Sequence, residues 1–595
     1  MKKYLLLLCM AIFVACSNEK VFEVREYGIE PNGENVSPFF ENLLQDIAEY
    51  KGNKPIVVKF DSGTYHFYDL EAFSREYYIS NHDQVNPKKV GIVLESMKNL
   101  TLDGQGANFV FHGRMLPLSL INSENCTLKN FSVDFERPHI VQVEVLENKG
   151  DSGIVFRVAP FYNYRITEDG CFETFEGDER SQPFTGIAFD PQNRHILYRT
   201  SDLHCNLSEV RPTAKSRILY APRWKDESLK NGTLVALRTY SRPAPAIFLS
   251  ENKNIALRNI KIHYAEGMGV LAQLCESITL DSVSVCLKDS LRCFTTQADA
   301  THFSSCKGKI ISKNGLYENM MDDAINVHGT YLKLISVLND STVEAAYMHN
   351  QTWGFRWGNV GDSVQFVKSS TMDILPNIYK IKKITPKTKY PKTFEISFDR
   401  PLATELKSSE SFGIENLTWT PSVEFSNNVV RNNRARGALF STPCEVKVEN
   451  NTFEHVSGTA ILLCGDCNGW YETGACKNVQ IAHNKFINVL TSMFQFTNAI
   501  ISIYPEIPCL EKQNAYFHSN IKITDNLFRT FDRPIVYAKS VDGLCFKNNI
   551  IEQTHDYKPF HFNDKKFWLQ RVINFQMENN TFQQGFDFVS DVKEE

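Results

Sequence analysis

The segments Gln297-Ala298-Asp299 and Met321-Asp322-Asp323-Ala324 carry the residues best suited to chemistry. Asp322 follows Asp299 by 23 residues, an interval that recurs elsewhere in the chain. If that interval is one turn of a repeating structure, Asp299 lies about 4.8 Å above the Asp322-Asp323 pair on one sheet face. Three carboxylates then share one groove. Crowded like charges raise at least one pKa, leaving an acid able to give a proton beside a base able to take one. The competing reading is that Asp322 and Asp323 cap a turn, as Asp commonly does. The apolar neighbours Met320, Met321, Ala324 and Ile325 speak against it, because buried charge is costly and persists mainly where it is used. His302 and His328 read either as neighbours that tune this site or as core histidines with satisfied nitrogens. The spacing of these Asp and His residues fits no familiar ligand motif, so neither a metal nor a cofactor is expected.

The elements that must hold these residues are short strands. Lys253-Asn254-Ile255-Ala256-Leu257 is echoed by Glu276-Ser277-Ile278-Thr279-Leu280, with 23 residues between Asn254 and Ser277. The same interval of 23 separates Asn427-Asn428 from Asn450-Asn451, and Asn526 from Asn549. Apolar and polar residues alternate within each segment, which is the strand period. A repeat in the low twenties without helical periodicity suits stacked β-coils, each covering the apolar interior of the next. A leucine-rich repeat would need a regular Leu frame that is missing. Asn at recurrent corners tolerates left-handed backbone and can bond to the Asn of the adjacent coil. The expected fold is all-β, a right-handed parallel β-helix.

Two stretches lose the coil motif, 138–241 and 331–420, and both read as alternating short strands, for example Ile140 to Val145 and Thr342 to Ala346. Insertions in solenoids emerge on one face, often the binding face, so two small β-barrel-like modules should flank the site. The expected organisation is a lipoprotein signal peptide at 1–15, β-helix coils at 16–137, an inserted module at 138–241 and the carboxylate-bearing coils at 242–330. A second inserted module at 331–420 and C-terminal coils at 421–595 complete it.

The chain has 595 residues, 42% of them hydrophobic and 22% charged, which suits a folded protein with several cores. A net charge of -5 offers no general attraction to polyanions, so nucleic acid is not an expected partner. Lys2 and Lys3 precede an apolar run from Tyr4 to Val14, too short to span a bilayer, followed by Ala15 and Cys16. This resembles a bacterial lipoprotein signal with Cys16 as the lipidated first residue of the mature chain. An exported protein anchored to a bacterial membrane by that lipid alone is expected. Removing Cys9 and Cys16 leaves an odd number of cysteines, which cannot all pair. Cys464, Cys467 and Cys476 cluster without a fourth ligand at zinc spacing, so a loop disulfide or plain packing is favoured over metal.

The lipoprotein start, the coils, the two insertions, the Asp299 and Asp322-Asp323 segments and Asp466-Cys467-Asn468-Gly469-Trp470-Tyr471-Glu472 together resemble glycoside hydrolase family 110 over essentially the whole mature chain. The resemblance implies an exo-acting α-1,3-galactosidase that removes terminal galactose from blood-group-B-type glycans, with some members also accepting linear Gal-α-1,3-Gal. It implies inversion at the anomeric carbon, Asp299 as general acid, and Asp322 with Asp323 as holders of the hydrolytic water. Trp470 and Trp353 become candidates to stack on galactose, and Asp466, Glu472, Arg356 and His328 candidates for its polar contacts. The rival readings are another β-helix carbohydrase, such as a polygalacturonase, and a non-catalytic glycan-binding β-helix. A polygalacturonase would need a tight basic array or Ca²⁺ for uronate carboxylates. Lys288, Arg292 and Lys307 lie near the acidic segments, but they form no tight basic array.

Overall fold

The computed structural model describes residues 19–583 and 592–594. Among them, 33 strands join into one network that winds as a right-handed parallel β-helix with three sheet faces. The face that matters for function is built by Val270–Gln273, Thr301–Ser304, Ile325–Thr330, Ala438–Ser441 and Ile461–Leu463, paired in that order and in parallel. The pleat turns Phe303, Ile325 and Val327 into the core and leaves His302, Asn326 and His328 on the outer side. Inside the coils, Phe453, Phe486 and Phe528 stack ring on ring at 5.3 and 4.8 Å. At the N-terminal end the helix Phe40–Glu49 buries Phe40, Leu43 and Ile47 and covers Phe60 and Phe67 of the first coil.

The corners divide the labour of paired polar residues. Asn427, Asn450, His483, Asp525 and Asn548 adopt left-handed φ values of 56, 58, 58, 58 and 56°. The residue after each is a buried Asn: Asn428, Asn451, Asn484, Asn526 and Asn549. Each of these accepts, on its Oδ1, the backbone N–H of the Asn one coil earlier, or of Gly315 in the case of Asn428. Each also donates from Nδ2 to a backbone carbonyl of the preceding coil. A turn that would otherwise orphan buried backbone groups is thereby satisfied from coil to coil.

Both insertions are excursions out of a single coil. Lys253–Ile262 pairs directly with Glu124–Phe135, and Ser422–Ser426 with Lys307–Lys313, so each long loop leaves the helix register intact. Within the first, Leu203–His204, Thr185–Phe189, Leu234–Arg238, Val141–Asn148, Ile154–Val158, Ile218–Ala221 and Arg211–Pro212 lie in that order in a seven-stranded antiparallel sheet over a core around Phe156 and Trp224. The second closes: Leu332–Asn339, Thr342–Ala346, Thr393–Phe398, Ile374–Pro386, Ser363–Lys368 and Phe412–Asn416 form a six-stranded barrel around Phe366, Tyr379 and Phe398. Cys464, Cys467 and Cys476 are separate thiols packed locally; Cys467 Sγ lies against Ser369 Oγ and Cys476 donates to the Phe440 carbonyl. Cys16 lies outside the described residues.

The Asn ladder yields a test. Asn484→Ala strips partners from the Asn451 backbone N–H, the Val448 carbonyl and Asn526, and should destabilise the protein by roughly 2–5 kcal/mol. Asn254→Gly, at an exposed left-handed corner that glycine adopts freely, should change stability by less than about 1 kcal/mol. Thermal and denaturant unfolding of both variants checks the difference.

Candidate functional site

Strand register brings the carboxylates together. Thr301 pairs with Ile325 and Ile325 with Ala438, so the turns just before these strands stack as Asp299, Asp323 and Arg436. The Ala300 N–H donates to the Asp323 carbonyl at 2.8 Å, and the Ala324 N–H to the Gly437 carbonyl at 2.8 Å. The coil offset here is one residue longer than the recurring interval of 23, so Asp299 sits over Asp323 and not over Asp322. Each of the three carboxylates has an oxygen within 4.8 Å of the others. A trio this tight could hold a cation, but Arg436 already contacts both Asp322 and Asp323 and supplies positive charge.

Four guanidinium groups, Arg238 buried and Arg242, Arg434 and Arg436 half-buried, balance the acids. Arg242 Nη2 donates to Asp322 Oδ2 at 2.9 Å, and Arg434 Nη1 to Asp322 Oδ1 at 3.4 Å. Arg436 donates to Asp323 Oδ2 at 3.0 Å. Asp202, from the first insertion, receives a forked pair from Arg434 at 2.8 and 2.5 Å and a further bond from Arg238 at 3.3 Å. Burial alone would raise Asp322, but Arg436, Arg434, Arg242 and Arg238 hold it below the usual carboxylate range. Asp299 lacks such a partner, and burial, aided by the Asp322 charge, pushes it up to about 8. Burial also raises Asp323, against the pull of Arg436. One neutral and one charged carboxyl therefore face the same space near pH 7.

That space is a cavity of about 200 Å³ on the outer face of the coils, walled on one side by Arg238 and Tyr240 at the end of the first insertion. Asp299, Asp322, His302, Asn326, Trp470 and Glu472 line it; Asp323 and His328 lie directly behind its wall. Glu472 arrives on Glu472–Thr473, which pairs antiparallel with Gly329–Thr330; a Cβ at Gly329 would collide with Thr473 Oγ1. Trp470 has one face against His349 of the second insertion, with ring centres 4.0 Å apart, and lines the cavity. Asp466 also borders the cavity, yet its oxygens accept the N–H groups of Asn468, Gly469 and Trp470, so it shapes the turn that presents Trp470.

Two expected contacts lie elsewhere. Trp353 stands at the barrel's rim, where Tyr78 packs on its ring, Lys392 lies over it, and its N–H is spent on the Asn350 carbonyl. Arg356 stacks on Trp419 and pairs with Glu251, so its charge is used outside the cavity. Reading the sequence missed the arginines, Asp202, Tyr240 and a segment near the N-terminus. In that segment Asn81 donates to Glu472, while Asp83 accepts from Ser241, Arg242 and Gln351, tying both insertions to the site. A signal for Arg434 and Arg436 exists: with 331–420 set aside, Asn433-Arg434-Ala435-Arg436-Gly437 falls at the same corner as Met320-Met321-Asp322-Asp323-Ala324.

Comparison with known proteins agrees with this arrangement. Family profiles described as GLAA-B beta-barrel domain I and GLAA-B beta-barrel domain II match residues 141–235 and 342–410, the two insertions. The chain is 56% identical over 590 residues to an alpha-1,3-galactosidase B of Phocaeicola vulgatus, covering 96% of this chain and 99% of that protein. It is 54% identical over 584 residues to an alpha-1,3-galactosidase B of Bacteroides fragilis, covering 96% and 98%. An alpha-1,3-galactosidase A of Bacteroides fragilis is 31% identical over 599 residues, covering 98% and 96%. The chain is therefore a glycosidase and belongs to the α-1,3-galactosidase family, glycoside hydrolase family 110.

Proposed function

We propose that the enzyme removes terminal α-1,3-linked galactose from blood-group-B-type glycans, acting from the non-reducing end and with inversion. The observation that carries the reading is the pairing of a neutral Asp299 with an anionic Asp322 across one small cavity. Asp299 gives its proton to the departing glycosidic oxygen; Asp322 orients water and takes its proton; Asp323 and Arg436 hold Asp322 in place behind the wall. The α-1,3-galactosidase names of the relatives support the linkage, and a small cavity of about 200 Å³ suits a chain end better than an open groove would. Inversion rests on the family resemblance. The close spacing of the carboxylates favours the opposite course, since inverting pairs usually stand about 6.5–9.5 Å apart and retaining pairs about 5–5.5 Å. The Lys2-Lys3 start and the Ala15-Cys16 junction support export with a lipid on Cys16.

Three outcomes are expected. Asp299→Asn, Asp322→Asn and Asp323→Asn should each lower kcat by about 10²–10⁴-fold without unfolding, and kcat/KM of the natural enzyme should fall above about pH 8, where Asp299 loses the proton it must donate; a loss below tenfold for all three would dismiss the trio. A panel of linear Gal-α-1,3-Gal and its fucosylated form, followed by proton NMR before mutarotation, should show β-galactose first; α-galactose first would establish retention with Asp322 as nucleophile. Cys16→Ser should release active enzyme from the membrane fraction, and continued membrane retention would count against the anchor.

A further inference from the structure

Two imidazoles stand in line behind Asp299. His302 Nδ1 lies 2.7 Å from Asp299 Oδ2, His302 Nε2 lies 2.8 Å from His328 Nε2, and His328 Nδ1 lies 2.7 Å from the Gly329 carbonyl oxygen. Both rings are 1% exposed. The stacking of coils creates the line: His302 sits opposite Asn326, and His328 reaches it diagonally from the same outer face.

The far end sets the direction of the line. A carbonyl oxygen only accepts, so His328 Nδ1 carries a proton. In a neutral ring its Nε2 is then an acceptor, the donor across the middle gap is His302 Nε2, and His302 Nδ1 is left as an acceptor facing Asp299. Only a proton on Asp299 can fill the last gap. The reverse direction would need a buried imidazolium at His328. Glu472 Oε1 beside it is 3.4 Å away and already accepts from Asn81 Nδ2, which is long for an N–H···O bond.

We propose that His302 and His328 are positioning residues that hold Asp299 as the protonated carboxyl, through a hydrogen-bond chain whose direction is fixed by the Gly329 carbonyl. The proposal rests on the reading of Asp299 as general acid. An acceptor on the neutral form favours that form. Burial and His328 drive His302 well below its ordinary pKa, and Arg242, Asp322 and Glu472 are the charged groups that face it along with Asp299. Asp299 itself faces Asp322, Arg242, Arg436 and Glu472. In each turnover the Asp299 proton leaves its hydrogen bond to His302 Nδ1 and passes to the departing glycosidic oxygen, while Asp322 takes a proton from the attacking water and returns it to solvent. Asp299 later regains a proton from water, and the imidazoles neither gain nor lose one over the cycle.

The test compares two substrates on the full-length enzyme. Linear Gal-α-1,3-Gal has a leaving group that needs a proton, whereas the phenolate of 2,4-dinitrophenyl α-galactoside leaves without one. Asp299→Asn and His302→Leu should each lose more than about 100-fold on the disaccharide but less than about 10-fold on the aryl galactoside. The alkaline limb of kcat/KM for His302→Leu should move to lower pH by about one unit or more. His328→Leu should shift the limb in the same direction, while His328→Gln, whose amide oxygen can accept from His302 Nε2, should restore it. If Asp299→Asn loses equally on both substrates, the acid assignment itself falls. If Asp299→Asn is spared on the aryl galactoside while the histidine variants lose equally on both and keep the natural alkaline limb, the acid assignment stands and the hydrogen-bond chain is overturned. Should His302→Leu fail to fold, the His328→Leu and His328→Gln pair decides on the same terms.

Discussion

The site depends on keeping Asp322 charged in a place almost sealed from water. Removing a carboxylate from water costs several kcal/mol, and partners at hydrogen-bond distance must return it. Here the return comes from arginines in different parts of the chain: Arg238 and Arg242 where the first insertion rejoins the helix, Arg434 and Arg436 on the coil beyond the second. Asp299, a few ångströms away, is denied the same partners and stays neutral. The contrast between the two groups comes from where the guanidinium groups point, since burial acts on both alike.

Much of this was legible because stacked coils write their geometry into sequence intervals. The spacing of 23 residues exposed the β-helix, the corner asparagines and the grouping of Asp299 with Asp322 and Asp323. It erred by one residue at the site, because the pairing of Thr301 with Ile325 makes that coil one residue longer than the recurring interval of 23. Arg434 and Arg436 were obscured by the insertion between adjacent coils, which hides spatial neighbours from any fixed interval. Trp353 and Arg356 misled because an aromatic or cationic side chain in a loop satisfies itself on whatever is nearest, here Lys392 and Tyr78, and Trp419 and Glu251. Asp466 shows the same limit in reverse: its place beside the cavity is real, but its lone pairs are taken by the backbone.

The insertions act on the site beyond the wall that the first provides. The first supplies Asp202, which orients Arg434, and the second supplies His349, which backs Trp470. The segment around Asn81 and Asp83 binds them together by hydrogen bonds to Arg242, Gln351 and Glu472. Mutation in either insertion can thus reach the carboxylates without touching them.

The dispersed origin of the countercharge also constrains how the chain can mature. A polypeptide emerging from its N-terminus reaches Asp299, Asp322 and Asp323 more than a hundred residues before Arg434 and Arg436, because the whole second insertion intervenes. Until that coil docks, Asp322 has only Arg238 and Arg242 for countercharge and Asp323 lacks Arg436, so the divided protonation of the finished site is not yet in place. Solenoids can in principle zip up one coil after another from a single end. In this one the central coils cannot reach their final electrostatic state by vectorial zipping alone, and completion of the site is tied to the arrival of sequence far downstream.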